Sequence, residues 1–191
     1  KPQDFPSFEE SLSKGLLPNN NPSSSEKDFE SLLNQMNESK NPVILVGGGA
    51  QWLPKGLFEK IASKLNIKII STYAGVNSIQ QENSLYEGMI GPFGHPKANK
   101  TLVEASDLFI LGARIPNRAF PVLSESSSQK FQSVRKWVLT VDPSEFINHK
   151  IGPLEKIYLG LLYDFCKYVE SKMPDTNPAP QILHSAENIL P

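Results

Sequence analysis

Val43-Ile44-Leu45-Val46-Gly47-Gly48-Gly49 places four apolar residues directly before three glycines. An unbroken apolar run of this length, rich in β-branched residues, predicts a strand buried on both faces. The glycines end it, and without Cβ atoms their backbone passes close to a ligand or to a neighbouring element. The spacing of Leu57, Phe58, Ile61, Ala62 and Leu65 then predicts a helix over residues 55–65 with one apolar stripe. Strand, glycine turn and helix make the first half of a βαβ unit. Amides at such a turn hold an anion, or the glycines serve only tight packing; the residues alone leave both readings open.

Working outward, Ser25 and Asp28 form a capping-box pattern, and Phe29, Leu32, Leu33 and Met36 recur at helical spacing up to Asn41-Pro42. Downstream, Asn66 suits a C-terminal cap and Ile67, Ile69 and Ile70 a second strand. Residues 71–94 read as one long loop, with Gly75, Gly88, Gly91, Pro92 and Gly94. Pro96 to Ala105 reads as a helix and Leu108 to Leu111 as a third strand ending in Gly112-Ala113-Arg114. Residues 120–135 are mixed, and Ser124 to Ser128 reads as a surface loop. Trp137 to Val141 is a fourth strand, with Asp142-Pro143-Ser144-Glu145 as a helix start. Ile157 to Leu159 is a short last strand, followed by a helix from Leu161 to Met173 with Leu161, Leu162, Phe165 and Val169 turned inward. The alternation implies an α/β protein: a Rossmann-like, doubly wound parallel sheet of about six strands with helices on both faces. The domain is expected over residues 25–173, between Pro-, Asn- and Ser-rich linker-like segments at 1–24 and 174–191. Ligands of such sheets sit beyond the strands' carboxyl ends, here Gly47–Gly49, Ser71–Tyr73, Gly112–Arg118 and Asp142.

The 191 residues carry 19 Lys+Arg against 20 Asp+Glu, a net charge of −1, which excludes the basic footprint of a nucleic-acid binder. No apolar run approaches the ~20 residues of a membrane span. The single cysteine permits no internal disulfide, and Cys166 lies among Leu161, Leu162, Phe165 and Val169 as a core residue. With no signal-peptide pattern at the start, a reducing, cytoplasmic setting is expected.

The glycine turn is a poor dinucleotide fingerprint. Gly47 and Gly49 fit two positions of G-x-G-x-x-G, but Trp52 stands at the third, and Ser71-Thr72 replaces the acid expected after the second strand. No Gly-Lys-Ser/Thr follows, so a P-loop is excluded. Two of the three arginines, Arg114 and Arg118, lie four residues apart just past a strand end. A guanidinium there suits phosphate or carboxylate, and equally a salt bridge. His95, His149 and His184 share no metal-ligand spacing with Cys166 or with close acids, and His95 reads as a helix cap or a surface residue. Asp142 reads as a cap before it reads as a ribose ligand. These residues form no catalytic centre.

Five blocks, in order, resemble the central domain of thiamine-diphosphate-dependent enzymes of the acetolactate synthase type. They are Asn41 to Gly49; Leu65 to Thr72 with Gly75; Asn83 to Gly91 with Gly94 and Ala98-Asn99; Ala105 to Leu108 through Gly112-Ala113-Arg114 with Arg118; and Val138 to Pro143. The resemblance covers residues 26–170. It implies a middle domain from a longer polypeptide, structural or regulatory and catalytically silent alone. In the family, the flanking domains carry the activating glutamate and a Gly-Asp-Gly…Asn motif that binds the diphosphate through Mg2+. No Gly-Asp-Gly occurs here, so thiamine diphosphate and Mg2+ are expected in the full-length enzyme, not on this chain. Its expected partners are the flanking domains of the same polypeptide and, when full-length, further copies of itself.

The resemblance also assigns a nucleotide crevice. In the acetolactate synthase branch FAD lies across the strand ends, and Gly49, Thr72, Gly91, Gly112, Ala113, Arg114 and Arg118 match positions of that site, beside Gly47 and Gly48. Four departures weaken it: Thr140 for an acid, Pro116 for a common aspartate, Leu161 for the aspartate of a Gly-Asp pair, and Phe93 for a common histidine. Each lost hydrogen bond costs about 1 kcal/mol or more. Tight FAD is therefore not expected, and a nucleotide-binding module taking FAD, ADP or CoA is the alternative reading.

Overall fold

The computed structural model describes residues 25–114, 124–147 and 154–173. Arg118, Pro116, His149, His184 and both linker-like termini lie outside the described residues. Helices are α1 (Glu26–Glu38), α2 (Leu57–Leu65), α3 (Pro96–Glu104), α4 (Glu125–Ser133), α5 (Ser144–Ile147) and α6 (Leu162–Lys172). Strands are β1 (Pro42–Val46), β2 (Lys68–Ser71), β3 (Tyr86–Met89), β4 (Asp107–Leu111), β5 (Arg135–Thr140) and β6 (Lys156–Leu159). Short 3-10 helices, Gly48–Trp52 and Tyr73–Ser78, follow β1 and β2.

The six strands form one sheet in the order β3-β2-β1-β4-β5-β6, and every pairing is parallel. The expected doubly wound architecture is thus found, with its order reversing between β1 and β4. Alternate residues divide the core in two. Ile44, Val46, Ile69, Phe109, Leu111, Leu139 and Tyr158 pack on one face with α1, α2 and α6. Val43, Leu45, Ile70, Leu108, Ile110 and Val138 pack on the other with α3, α4 and Phe146. Period-two alternation across parallel strands has this result when both faces are covered.

Local chemistry sets the helix ends. The Ser25 hydroxyl accepts from the Asp28 amide and donates to the Asp28 carboxylate, starting α1. Asn66, at φ 51°, closes α2 in the left-handed region. His95 Nδ1 accepts from the Lys97 amide and caps α3, as expected of it.

Three expectations are corrected. The loop expected over 71–94 contains β3, whose run Tyr86-Glu87-Gly88-Met89 lacks an apolar pattern; Glu87 is buried there against Lys97 Nζ at 2.8 Å. Ser124 to Ser128 is no loop: Ser124 caps α4 by accepting from the Ser127 amide, and Phe131 anchors the helix in the core. Leu161 does not face inward but precedes α6 as its exposed N-cap, and Cys166 takes the buried place beside Phe165.

The amino edge of the sheet is tied by a buried carboxylate. Asp107 opens β4 and accepts from Ser39 Oγ at 2.6 Å, Ser106 Oγ at 2.8 Å, Trp137 Nε1 at 3.0 Å and the Arg135 guanidinium at 2.8 Å. Burial alone raises its pKa, but donation from Ser39, Trp137, Arg135 and Ser106 outweighs it, so the carboxyl sits below the usual range. The knot joins the end of α1 to β4 and β5. Asp107→Asn should cost about 2–4 kcal/mol at pH 7 in urea unfolding, since buried donors lose a charged acceptor. A carboxylate whose folded pKa is depressed contributes stability above its unfolded pKa and loses it as the pH falls. The wild-type advantage should therefore shrink below about pH 4; a pH-independent gap refutes this account.

Candidate functional site

A cleft of about 470 Å³ opens at the carboxyl ends of β1, β4, β5 and β6, at the point where the strand order reverses. It is where a doubly wound sheet binds ligands. Gly48 and Gly49 form one lip, Gly112, Ala113 and Arg114 the floor and one side, and Thr140 to Asp142 with Gly160 to Tyr163 the other. Trp52, Leu53, Val141, Leu161, Leu162 and Tyr163 make the lining predominantly apolar.

The glycines are explained first by packing. A Cβ on Gly47 would stand 2.2 Å from Ala113 Cα, and one on Gly49 2.8 Å from the Gly112 carbonyl oxygen. The backbones of the β1 and β4 ends therefore touch. Their polar groups are spent on each other: the Gly49 amide donates to Gly112 O at 2.9 Å, the Gly47 amide to Leu111 O at 3.2 Å and the Gly112 amide to Leu139 O at 3.0 Å. An anion cradle needs such amides pointing at the ligand, and these three are engaged. Gly112 has φ 55°, so it is there for its backbone conformation.

The structure brings together Gly48, Gly49, Gly112, Ala113 and Arg114 of the expected crevice. Gly47 lies behind them in the β1–β4 contact. Thr72 and Gly91 are not part of the cleft wall. Thr72 is buried at the end of β2, where its hydroxyl finds no partner among the described residues. Gly91 is held by the Asn99 side chain, which accepts from its amide at 3.0 Å and donates to its carbonyl at 2.9 Å.

The polar members of the wall are also committed. Thr140 Oγ1 accepts from the Asp142 amide at 3.1 Å and donates to the Asp142 carbonyl at 3.2 Å. Asp142 Oδ1 accepts from the Ser144 amide at 3.0 Å and from its hydroxyl, a short cap for α5. Among the described residues no group of three or more His, Cys, Asp and Glu side chains is placed to hold a metal ion. Cys166 is no nucleophile either: burial, and then the nearby Glu170, push its thiol up to about 12. The described residues of the cleft supply no ligand set for a diphosphate–metal centre.

Reading the sequence alone missed the apolar wall. Trp52, Val141 and Tyr163 carry no motif; their only signal is a position just past a strand. No helix among the described residues is long and apolar enough to cross a membrane.

Comparison with known proteins adds a separate line of evidence. The family described as thiamine pyrophosphate enzyme, central domain, matches residues 29–157. The acetolactate synthase large subunit of Cyanidium caldarium is 32% identical over 129 residues, covering 67% of this chain and 21% of that protein. The acetolactate synthase large subunit of Lactococcus lactis subsp. lactis (strain IL1403) is 33% identical over 94 residues, covering 49% of this chain and 16% of that protein. The 3D-(3,5/4)-trihydroxycyclohexane-1,2-dione hydrolase of Clostridium botulinum (strain Alaska E43 / Type E3) is 29% identical over 155 residues, covering 76% and 23%. The chain thus spans about a fifth of the length of the curated relatives it matches.

Gly47→Ala should destabilise the chain by at least about 3 kcal/mol in chemical unfolding, because its Cβ meets backbone that cannot retreat. Gly48→Ala, whose Cβ would lie 3.3 Å from the Ala74 methyl, should cost within about 1 kcal/mol. Equal costs at the two positions would rule out backbone contact as the reason for the first glycine.

Proposed function

The chain belongs to the central-domain family of thiamine pyrophosphate enzymes, and on that premise we propose that it is the non-catalytic middle domain of a longer enzyme. That enzyme would use thiamine diphosphate, with Mg2+, to make or break the bond beside a carbonyl of a 2-oxo acid or an acyl-CoA-type substrate. The domain holds its two neighbours in position and helps frame the substrate entrance. The full-length polypeptide would be cytoplasmic and homo-oligomeric.

One observation carries this reading. The match to the central-domain family runs across residues 29–157, while the relatives are about five times longer than the matched segment. The site chemistry agrees with it. Neither the cleft nor any other described cluster offers ligands for a diphosphate-bound metal, so no step of the reaction is assigned to these side chains. Their work is to pack β1 against β4 and to present the strand ends.

Incubated with pyruvate, thiamine diphosphate and Mg2+, the isolated chain should show no turnover above the buffer rate. Turnover well above it would overturn the proposal. The rival reading, a nucleotide-binding module, has its own measurement. FAD, ADP and CoA at about 1 mM should each raise the melting temperature by less than about 1 °C. A larger shift that Arg114→Ala abolishes would establish nucleotide binding in the cleft instead.

A further inference from the structure

Lys136, second in β5, has 0% of its surface exposed. A buried ammonium ordinarily has a carboxylate against it, because taking an unpaired charge out of water is costly. Here the groups in contact are neutral. Nζ donates to the Phe131 carbonyl at 2.9 Å and to the Val134 carbonyl at 2.6 Å, and it lies 4.6 Å from the centre of the Phe131 ring. Phe131 is in the last turn of α4 and Val134 is its C-cap, so one side chain of the sheet closes the end of this helix.

α4 is weakly built. Its nine residues include Ser126, Ser127, Ser128 and Ser133, and serine is a mediocre helix former. Phe131 is its one buried residue. An element with so little buried area opens locally before the whole domain unfolds. Opening α4 breaks both Nζ hydrogen bonds and lets water reach the ammonium.

The charges near Lys136 are directed elsewhere. The segment leading into β6 supplies Glu155, whose amide donates to the Lys136 carbonyl at 2.8 Å and whose exposed carboxylate acts only through space. On β5 itself, Arg135 is bound to Asp107. On β4 the residue in register is Leu108. On α4, Glu125 and Lys130 are exposed. On α3, which packs against α4, Lys97 pairs with Glu87, and the exposed Lys100 and Glu104 face each other. α5 brings Phe146 to this side of the core. Burial is therefore the largest influence on the amine and pushes its pKa down to about 8, with Glu155 opposing it.

We propose that Lys136 makes the seating of α4 pH-responsive: the helix docks most firmly over the neutral amine, and proton uptake by Lys136 loosens it. When α4 is open, Lys136 stands in water with the ordinary lysine pKa of about 10.4. Between the docked and open values the open form holds the proton and the docked form does not. Docking thus strengthens as the pH rises through that window, and it is weakest below the docked value. Closing the end of α4 does not reverse the sign. A neutral amine still has two N–H groups for the two carbonyls, and burial penalises only the charge. The inference stands independently of the middle-domain reading.

Native-state proteolysis of the full chain tests it. A lysine-specific endoprotease cleaves after Lys130 only when α4 is open, and at low protease concentration the rate follows the open population. Dividing by the rate on a free peptide of residues 124–134 removes the protease's own pH dependence. The normalised rate should fall about tenfold between pH 7 and pH 9. In Lys136→Met, which removes the charge and keeps an apolar chain of similar length, it should stay level at or below the wild-type rate at pH 9. A wild-type rate that is level or rises with pH would overturn the proposal, and so would a fall that persists in Lys136→Met. Cleavage after Lys130 no faster than the whole chain unfolds would overturn the local opening of α4. A second measurement needs no variant: the Lys136 side-chain NMR resonances should titrate near pH 8, and a midpoint at about 10 or above would refute the mechanism.

Discussion

The direct contact between the ends of β1 and β4 is the constraint from which the site follows. These two strands lie at the centre of the sheet, and the chain winds away from them in opposite directions. Their ends diverge in most doubly wound sheets and leave a crevice. Here Gly47 rests against Ala113, and Gly49 donates to Gly112 O. The crevice is closed at its base by backbone, and what remains above it is bounded by side chains. That single arrangement explains why glycines occur in the turn and why the Gly47, Gly49 and Gly112 amides are not left to meet an anion. It also explains why the cleft wall is mostly carbon.

The central strands could be read from the chain because their burial is complete on both faces. Val43 to Val46 and Leu108 to Leu111 are almost entirely inaccessible, so nothing polar interrupts them. β3 is an edge strand of four residues with a charged and a glycine residue in its middle. Its place comes from pairing with β2 and from Lys97 meeting Glu87, contacts distant in sequence or without a periodic signal. Similarly, α4 holds its position through one buried aromatic, Phe131, so its sequence looks like a polar loop. Lys136 shows the same limit: its ammonium donates to the Phe131 and Val134 carbonyls in a fully buried pocket, a partner set no local pattern reveals.

The candidate site divides along similar lines. Gly48, Gly49 and Gly112 to Arg114 were legible because they directly follow strands with strong patterns, and they do converge. Thr72 and Gly91 follow strands as well, yet β2 and β3 lie on the far side of the reversal, and their residues serve local packing and the Asn99 clasp. Helical spacing predicts that Leu161 faces inward. It sits one residue before the first helical turn, where spacing no longer predicts direction. The exposed aromatics were invisible for a more general reason: an aromatic side chain read singly is a core candidate, and only the fold shows that it is exposed.

The two edges of the sheet consequently face different fates. At the amino edge a buried carboxylate is matched by donors within the same domain. At the carboxyl edge the Gly47 and Gly49 amides are paired within the domain, and the cleft wall above them is mostly apolar. On the proposed middle-domain reading, such a domain lends rigid geometry to a reaction whose chemical groups belong to its neighbours.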